Sequence, residues 1–225
     1  MSWLYESRRI ITQHNGTLSL KRFLGRWELR SKDLTQQSSP YMDALWRKTL
    51  RAAARYDVPV RRCLVLGVGL GGIFQQVRSS YPLAEIVAVD WDRELIELGK
   101  TLGIVPVDAR MQIITGDVAD VVPRLGGVFD LVIIDLFTGK HLAPILYEPS
   151  FRDVLMQKVT AGGVVCLNGY LEKKVFEVWK PSALQTQTVR YQMNDILICS
   201  SVIPDRDPGP SHLSVIPASE PESKK

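Results

Sequence analysis

The sequence predicts an α/β fold: an open, mostly parallel sheet flanked by helices, closed by an antiparallel last strand and preceded by a small β-hairpin region. Three observations predict it. The first is the stretch RRCLVLGVGLGG (61–72), where Cys63 to Leu66 run apolar without alternation and then enter a glycine-rich turn. A strand buried on both faces of a parallel sheet has that pattern. The second is the run EIVAVD, which closes on Asp90, 23 residues after Gly67. The third is the recurrence of strand then helix through MQIITGDVADVV, FDLVIIDLF and AGGVVCLN, the signature of an open parallel sheet.

Taken in order, residues 3–32 hold short alternating segments, RRIITQHNG, TLSLKRFLG and RWELRS, broken by Asn15-Gly16 and Gly25. Asn-Gly between extended segments is a hairpin signal because both positions accept positive φ. A small antiparallel sheet is expected here, with Trp3, Phe23 and Trp27 as its apolar face or packed against the main domain. The polar run DLTQQSSPY reads as a loop that ends in a Ser-Pro helix start. From Pro40 to Tyr56 a helix is expected, with Leu45, Leu50 and Ala52 to Ala54 on one side and Arg47, Lys48, Arg51 and Arg55 on the other. It closes off the ligand crevice of the following domain, and Tyr41 and Asp43 at its start are candidates to line that crevice; a cap and a packed phenol are the competing roles.

The strand at Cys63–Leu66 leads into Gly67, Gly69, Gly71 and Gly72, which allow a tight turn and close backbone approach of a ligand to the next helix. Asp90, ending the second strand, can take the two hydroxyls of a ribose. Together these make a Rossmann-like nucleoside half-site. WDRELIELGKTLG follows as an amphipathic helix. After MQIIT, Asp117 stands where its carboxylate, or the next backbone amide at Val118, reads an adenine edge; a helix N-cap on VADVV is the competing role and the two can coexist. Leu131 to Ile134 carry the chain to Asp135, which then meets Leu136 and Phe137. A carboxylate at this strand end can orient or deprotonate an amine, or only bond loop amides. The remaining expectations are a loop over 140–149, a helix FRDVLMQKVT stopping before Gly162-Gly163, a buried strand ending at Asn168, a helical stretch within 171–179, and strands QTQTVRY and NDILICS joined by a hairpin at Asn194-Asp195. The boundaries are 1–39 for the β region, 40–203 for the nucleoside-binding domain and 204–225 for an irregular, Pro-rich tail.

Cys63, Cys166 and Cys199 fall in apolar strands and read as buried hydrophobes. None of His14, His141 and His212 has a metal-ligand neighbour at useful spacing, so no metal is expected; His14 and His212 read as surface residues. The net charge of +4 is uneven: residues 1–62 carry thirteen Lys or Arg against five Asp or Glu. A solvated basic face accounts for this, and the lack of a nucleic-acid module argues against RNA or DNA. No apolar stretch has the length of a membrane helix and no secretory signal is legible, so a cytoplasmic location is expected.

The set LVLGVGLGG, IVAVD, GDVAD, FDLVIIDLF and AGGVVCLN resembles class I S-adenosylmethionine-dependent methyltransferases, and more closely their spermidine/spermine synthase branch, the polyamine aminopropyltransferases. The resemblance covers roughly residues 40–200, and the small N-terminal sheet followed by YMDAL is similar to that branch as well. It implies a seven-stranded sheet, a homodimer, and decarboxylated S-adenosylmethionine as donor. It also implies a donor loop at Gly67–Gly72, a ribose acid at Asp90, an adenine-side pair at Gly116-Asp117 and a catalytic Asp135. Three departures stand out. The synthases' glycine loop reads G-G-G-D-G-G, and Leu70 replaces its Asp at a position that the resemblance places beside the donor's propylamine. D-x-x-D-P becomes DLFTGK, and the ribose acid is Asp instead of Glu. A basic covering segment also opposes a polycationic substrate. The expectation is therefore an S-adenosylmethionine-dependent transferase, a methyltransferase of unknown small-molecule acceptor, with Tyr41, Asp43, Leu70 and Phe137 on the substrate side. Polyamine aminopropyl transfer is the alternative enzyme reading, and a non-catalytic nucleoside-binding or protein-association module is the third.

Overall fold

A computed structural model describes residues 5–31, 36–180 and 184–201. Strands β1 (Tyr5–Thr12), β2 (Gly16–Phe23), β3 (Arg26–Ser31) and β4 (Gln36–Ser38) form an antiparallel sheet in that order. The β1–β2 turn closes on Gly16, and the β2–β3 turn is the pair Leu24-Gly25, both at positive φ (48° and 78°), the two-residue hairpin geometry. Leu18 and Leu20 share one face of β2, Leu29 pairs opposite Leu20, and all three are buried. This corrects the expected apolar face. Phe23 is exposed because it is three residues from Leu20, and strand alternation turns it outward. Trp27 packs at the margin of the leucine cluster; Trp3 lies outside the described residues.

Helix α1 (Pro40–Ala53) starts as Ser-Pro predicts. The Ser39 hydroxyl accepts from the Met42 amide at 3.2 Å, and Pro40 occupies the first helical position, where no N–H is needed. Leu45, Trp46, Thr49, Leu50 and Ala53 are buried, while Arg47, Lys48 and Arg51 face outward. A 3-10 turn at Ala54–Tyr56 ends it.

The main sheet begins with β5 (Arg62–Leu66), followed by α2 (Gly72–Ser80), β6 (Glu85–Asp90), α3 (Arg93–Thr101), β7 (Met111–Thr115), α4 (Val118–Arg124) and β8 (Phe129–Ile134). Strand β9 (Phe137–Thr138) pairs with β10 (His141–Leu142), and β10 with a 3-10 turn at Pro144–Tyr147 falls in the stretch 140–149 expected as loop. The chain ends with α5 (Pro149–Met156), β11 (Val159–Tyr170), α6 (Val175–Trp179), β12 (Leu184–Tyr191) and β13 (Asn194–Ser201). The seven strands lie in the order β12-β13-β11-β8-β5-β6-β7. All neighbours from β11 to β7 are parallel, and β13 is antiparallel to both of its neighbours. Alternate residues feed two cores. Cys63, Val65, Leu131 and Ile133 join the side covered by α1 and α2, and Leu64, Leu66, Val132 and Ile134 the side covered by α4, α5 and α6. Burial on both faces is why these strands read as unbroken apolar runs.

Two element boundaries differ from expectation. The helix FRDVLMQKVT ends at Met156, and Val159 and Thr160 already belong to β11. Gly162 (φ 79°) and Gly163 do not stop a helix; they absorb a register shift between Val159 and Val164 in the pairing with β8. The last hairpin turns at Gln192-Met193, with Gln192 at φ 50°, while Asn194 and Asp195 are buried residues of β13. The expected tail, 204–225, lies outside the described residues. No described helix is long and apolar enough to cross a membrane.

Leu70 is an apolar contact between the small sheet and the main domain. It is fully buried with Leu95 of α3 against Leu18, Leu20 and Leu29. We predict that Leu70→Asp, the residue found at that place in the synthase pattern, lowers unfolding free energy by at least about 3 kcal/mol, because it puts an unpaired carboxylate into an apolar seam. Urea titration measures this, and a wild-type midpoint for the variant contradicts the packing.

Candidate functional site

Strand β5 passes to β6 on one side and the chain later returns to place β8 on the other, so β5 and β8 flank the point where the sheet's winding reverses. Ligands of open α/β sheets gather beyond the strand ends at such a point. A cavity of about 350 Å³ opens there. Gly67, directly after β5, has φ 88°, and a Cβ on it would collide with the Asp135 carbonyl oxygen. The Asp135 amide in turn donates to the Leu66 carbonyl at 2.8 Å. Glycine at 67 is what lets the two strand ends close on one another.

The side of the cavity expected to take a nucleoside is built around Asp90. Its Oδ2 accepts from the amides of Val68 (2.6 Å) and Gly69 (3.1 Å), and its Oδ1 from the amide of Asp92 (2.9 Å). Burial raises its pKa, and those three amides work against the rise. A carboxylate offers about four acceptor sites, so Asp90 shapes the glycine loop as well as facing the cavity. Gly67, Gly69, Asp90, Asp117 and Val118 all line the cavity. Gly71 does not: at φ 94° its Cα packs against Val105, where a Cβ would clash. Asp117 caps α4 through the Ala119 amide at 2.9 Å, so its competing role is realised in the same residue that lines the cavity.

Asp92 extends this scaffold to the N-terminal sheet. The fully buried carboxylate accepts from Thr12 Oγ1 (2.6 Å) and Asn15 Nδ2 (2.6 Å) through one oxygen, and caps α3 at the Leu95 amide (3.0 Å) through the other. The exposed His14 ring stacks on Trp91 with centroids 5.0 Å apart. Asn15 and Trp91 line the cavity, although the sequence marked Asn15 as a turn residue alone and gave no sign of Trp91. The D-W-D spacing, with an acid three residues ahead of Leu95, was the legible sign of the cap.

Asp135 anchors the opposite half. Asn168 Nδ2 donates to its Oδ1 at 2.8 Å, and Trp46 Nε1 to its Oδ2 at 3.3 Å. Asn194 Nδ2 donates to Asn168 Oδ1 at 2.8 Å, and the Tyr41 hydroxyl donates to Asn194 Oδ1. A line of hydrogen bonds therefore joins α1, β13, β11 and β8. Burial pushes the Asp135 pKa up to about 6, against the lowering effect of the Asn168 and Trp46 bonds. Tyr41 and Phe137 line the cavity, and Phe137 meets Tyr170 edge to face at 6.2 Å.

Besides Gly71, two sequence candidates lie elsewhere. Asp43 is not among the cavity-lining residues; burial raises its pKa, and the charges of Arg47 and Arg26 oppose the rise. Leu70 is turned into the inter-sheet seam and does not line the cavity, so a leucine is not what a bound amine meets there. The apolar surroundings of that position, supplied by Leu18, Leu20 and Leu29, hold it away. Among the described residues no cluster of three or more His, Cys, Asp or Glu is placed to hold a metal ion.

We predict that the Asp135 side-chain carboxyl titrates with a midpoint of about 6 by carbon NMR. Because burial disfavours the charged form, the group is ionised above that pH and protonated below it. A midpoint near the ordinary value of about 4 would contradict the buried environment.

Residues 51–204 match the model of the spermine/spermidine synthase domain family. Polyamine aminopropyltransferase 2 of Pseudomonas aeruginosa is 29% identical over 178 residues, 75% of this chain and 50% of that protein. The chain spans no more than half the length of the curated relatives described by this and two shorter matches. Among solved structures, a protein described as a probable spermidine synthase from Corynebacterium glutamicum superposes with a TM-score of 0.70 at 17% identity, covering 87% of this chain and 80% of that one. Human methyltransferase-like protein 13, bound to SAH, superposes at 0.59 with 21% identity, covering 74% and 83%. These two likenesses establish a shared fold.

Proposed function

The chain belongs to the spermine/spermidine synthase family, and on that premise we propose that it is an aminopropyltransferase of the spermidine synthase type, which moves the aminopropyl group of decarboxylated S-adenosylmethionine to an amine. The observation that carries the proposal is the match over 51–204, which takes in Asp90, Asp117 and Asp135, the three carboxylates that line one cavity. The curated relative named for the same activity supports it. The family and that relative favour this reading over the methyl transfer expected from the sequence.

The residues divide the work. Gly67 and Gly69 allow close approach of the donor's sulfur-bearing chain, Asp90 and Trp91 border the ribose, and Asp117 and Val118 border the adenine. Asp135 receives the acceptor nitrogen. The amine lone pair forms a bond to the methylene next to the sulfonium, and the carbon–sulfur bond breaks with its electron pair passing to sulfur, which leaves neutral methylthioadenosine. The proton released from nitrogen passes to Asp135 and on to solvent. A raised pKa suits that exchange, since a carboxylate titrating at about 6 is ionised at neutral pH and is a better base than an ordinary Asp.

Methyl transfer from S-adenosylmethionine stands as a second reading because of one observation: no carboxylate of the glycine loop faces the cavity, the loop's fourth position being the buried Leu70. Calorimetry separates the two. The proposal expects decarboxylated S-adenosylmethionine and methylthioadenosine to bind more tightly than S-adenosylmethionine, and Asp135→Asn to keep donor affinity while it slows transfer by at least about 100-fold. Tighter binding of the carboxylated donor favours methyl transfer, and undiminished turnover in Asp135→Asn removes that residue from the chemistry.

A further inference from the structure

We propose that the acceptor carries a single amine on an apolar body and has no second cationic centre; this rests on the aminopropyl transfer reading above. The half of the cavity around Asp135 is walled by α1, β9, the end of β11 and the β12–β13 turn. Its surfaces are Tyr41, Met42, Phe137, Tyr170 and Met193, and its polar groups besides Asp135 are neutral: the amides of Asn168, Gln192 and Asn194 and the hydroxyls of Thr138 and the two tyrosines. Among the described residues lining this half, Asp135 is the one carboxylate. One ammonium or amine is matched there; a second ammonium would be desolvated against rings and thioethers with nothing of opposite charge to meet it.

Two acids of neighbouring segments, Asp195 and Glu172, are already engaged. Asp195 is held between Lys173 Nζ at 2.6 Å and Arg190 Nε at 2.9 Å. Glu172 accepts from the Tyr147 hydroxyl (2.6 Å) and the Leu142 amide (3.2 Å), and lies 3.1 Å from His141 Nδ1. Lys48 Nζ donates to the Arg190 carbonyl at 2.8 Å and lies over the Tyr191 ring, so Lys48, Lys173 and Arg190 stand beside the acids Asp195 and Glu172 in the segments behind the wall. A dication finds one carboxylate on this wall for its two charges, whereas an amine with an alkyl or aromatic body has its charge at Asp135 and its body on the wall.

The test pairs putrescine with pentylamine, in which a methyl group replaces the distal ammonium. Methylthioadenosine release from decarboxylated S-adenosylmethionine is followed with each amine and the full chain. The expected kcat/KM for pentylamine exceeds that for putrescine by at least about tenfold, the discrimination one mismatched group typically gives. Gln192→Glu, a same-sized change in the exposed β12–β13 turn, is expected to move that ratio toward putrescine by about tenfold. Putrescine equal to or better than pentylamine, or a ratio unmoved by Gln192→Glu, overturns the inference and leaves aminopropyl transfer standing. No release with either amine overturns aminopropyl transfer, and this inference with it.

Discussion

The close contact of Gly67 with the Asp135 backbone is the constraint on which the rest of the site depends. It draws the C-terminal ends of β5 and β8 together at the sheet's switch point, so that a glycine loop and a buried carboxylate face one cavity. Once there, the carboxylate is held by donors from elements far apart in the chain, Trp46 on α1 and Asn168 on β11. Fixing both oxygens sets the direction in which a remaining lone pair can meet a nucleophile. The same enclosure that raises the pKa strengthens every electrostatic interaction made inside it.

A second set of bonds ties the Asp90 side of the cavity to the N-terminal sheet. Asp90 holds the amides of Val68 and Gly69, the Asp92 amide holds Asp90, and the Asp92 side chain holds Thr12 and Asn15. The apolar seam of Leu70 and Leu95 with Leu18, Leu20 and Leu29 backs this arrangement. The small sheet is therefore a wall of the site, and the leucine in the glycine loop has a packing reason: it is the loop's contribution to the seam.

The parallel sheet was legible because strands buried on both faces must be apolar at every position, as Cys63–Leu66 and Leu131–Ile134 are, and because Asp90, Asp117 and Asp135 stand at or just beyond the ends of their strands. Less legible were features that depend on distant partners. Phe23 was expected inside, but strand alternation against Leu18 and Leu20 turns it out. Asn194 and Asp195 resembled turn residues, yet Asn194 is held by Tyr41 and Asn168, and Asp195 by Lys173 and Arg190. Leu70 was read beside a bound amine because only the tertiary fold reveals which way a loop side chain points. The bond from Trp46 spans 89 positions of sequence, and no local pattern announces it.

The site then combines one half lined with backbone amides and two carboxylates, which the proposal gives to the nucleoside, and another with one acid among aromatic and amide groups, which it gives to the acceptor. That division suits a displacement at carbon, where the protein has to align a nucleophile with a leaving sulfur and accept one proton. The most direct measurement is mass spectrometry of an amine incubated with the protein and either donor, decarboxylated or carboxylated S-adenosylmethionine. The account predicts an aminopropyl-extended amine with the decarboxylated donor and none with the Asp135→Asn variant. A methylated amine from the carboxylated donor, with no aminopropyl product from the other, would contradict it.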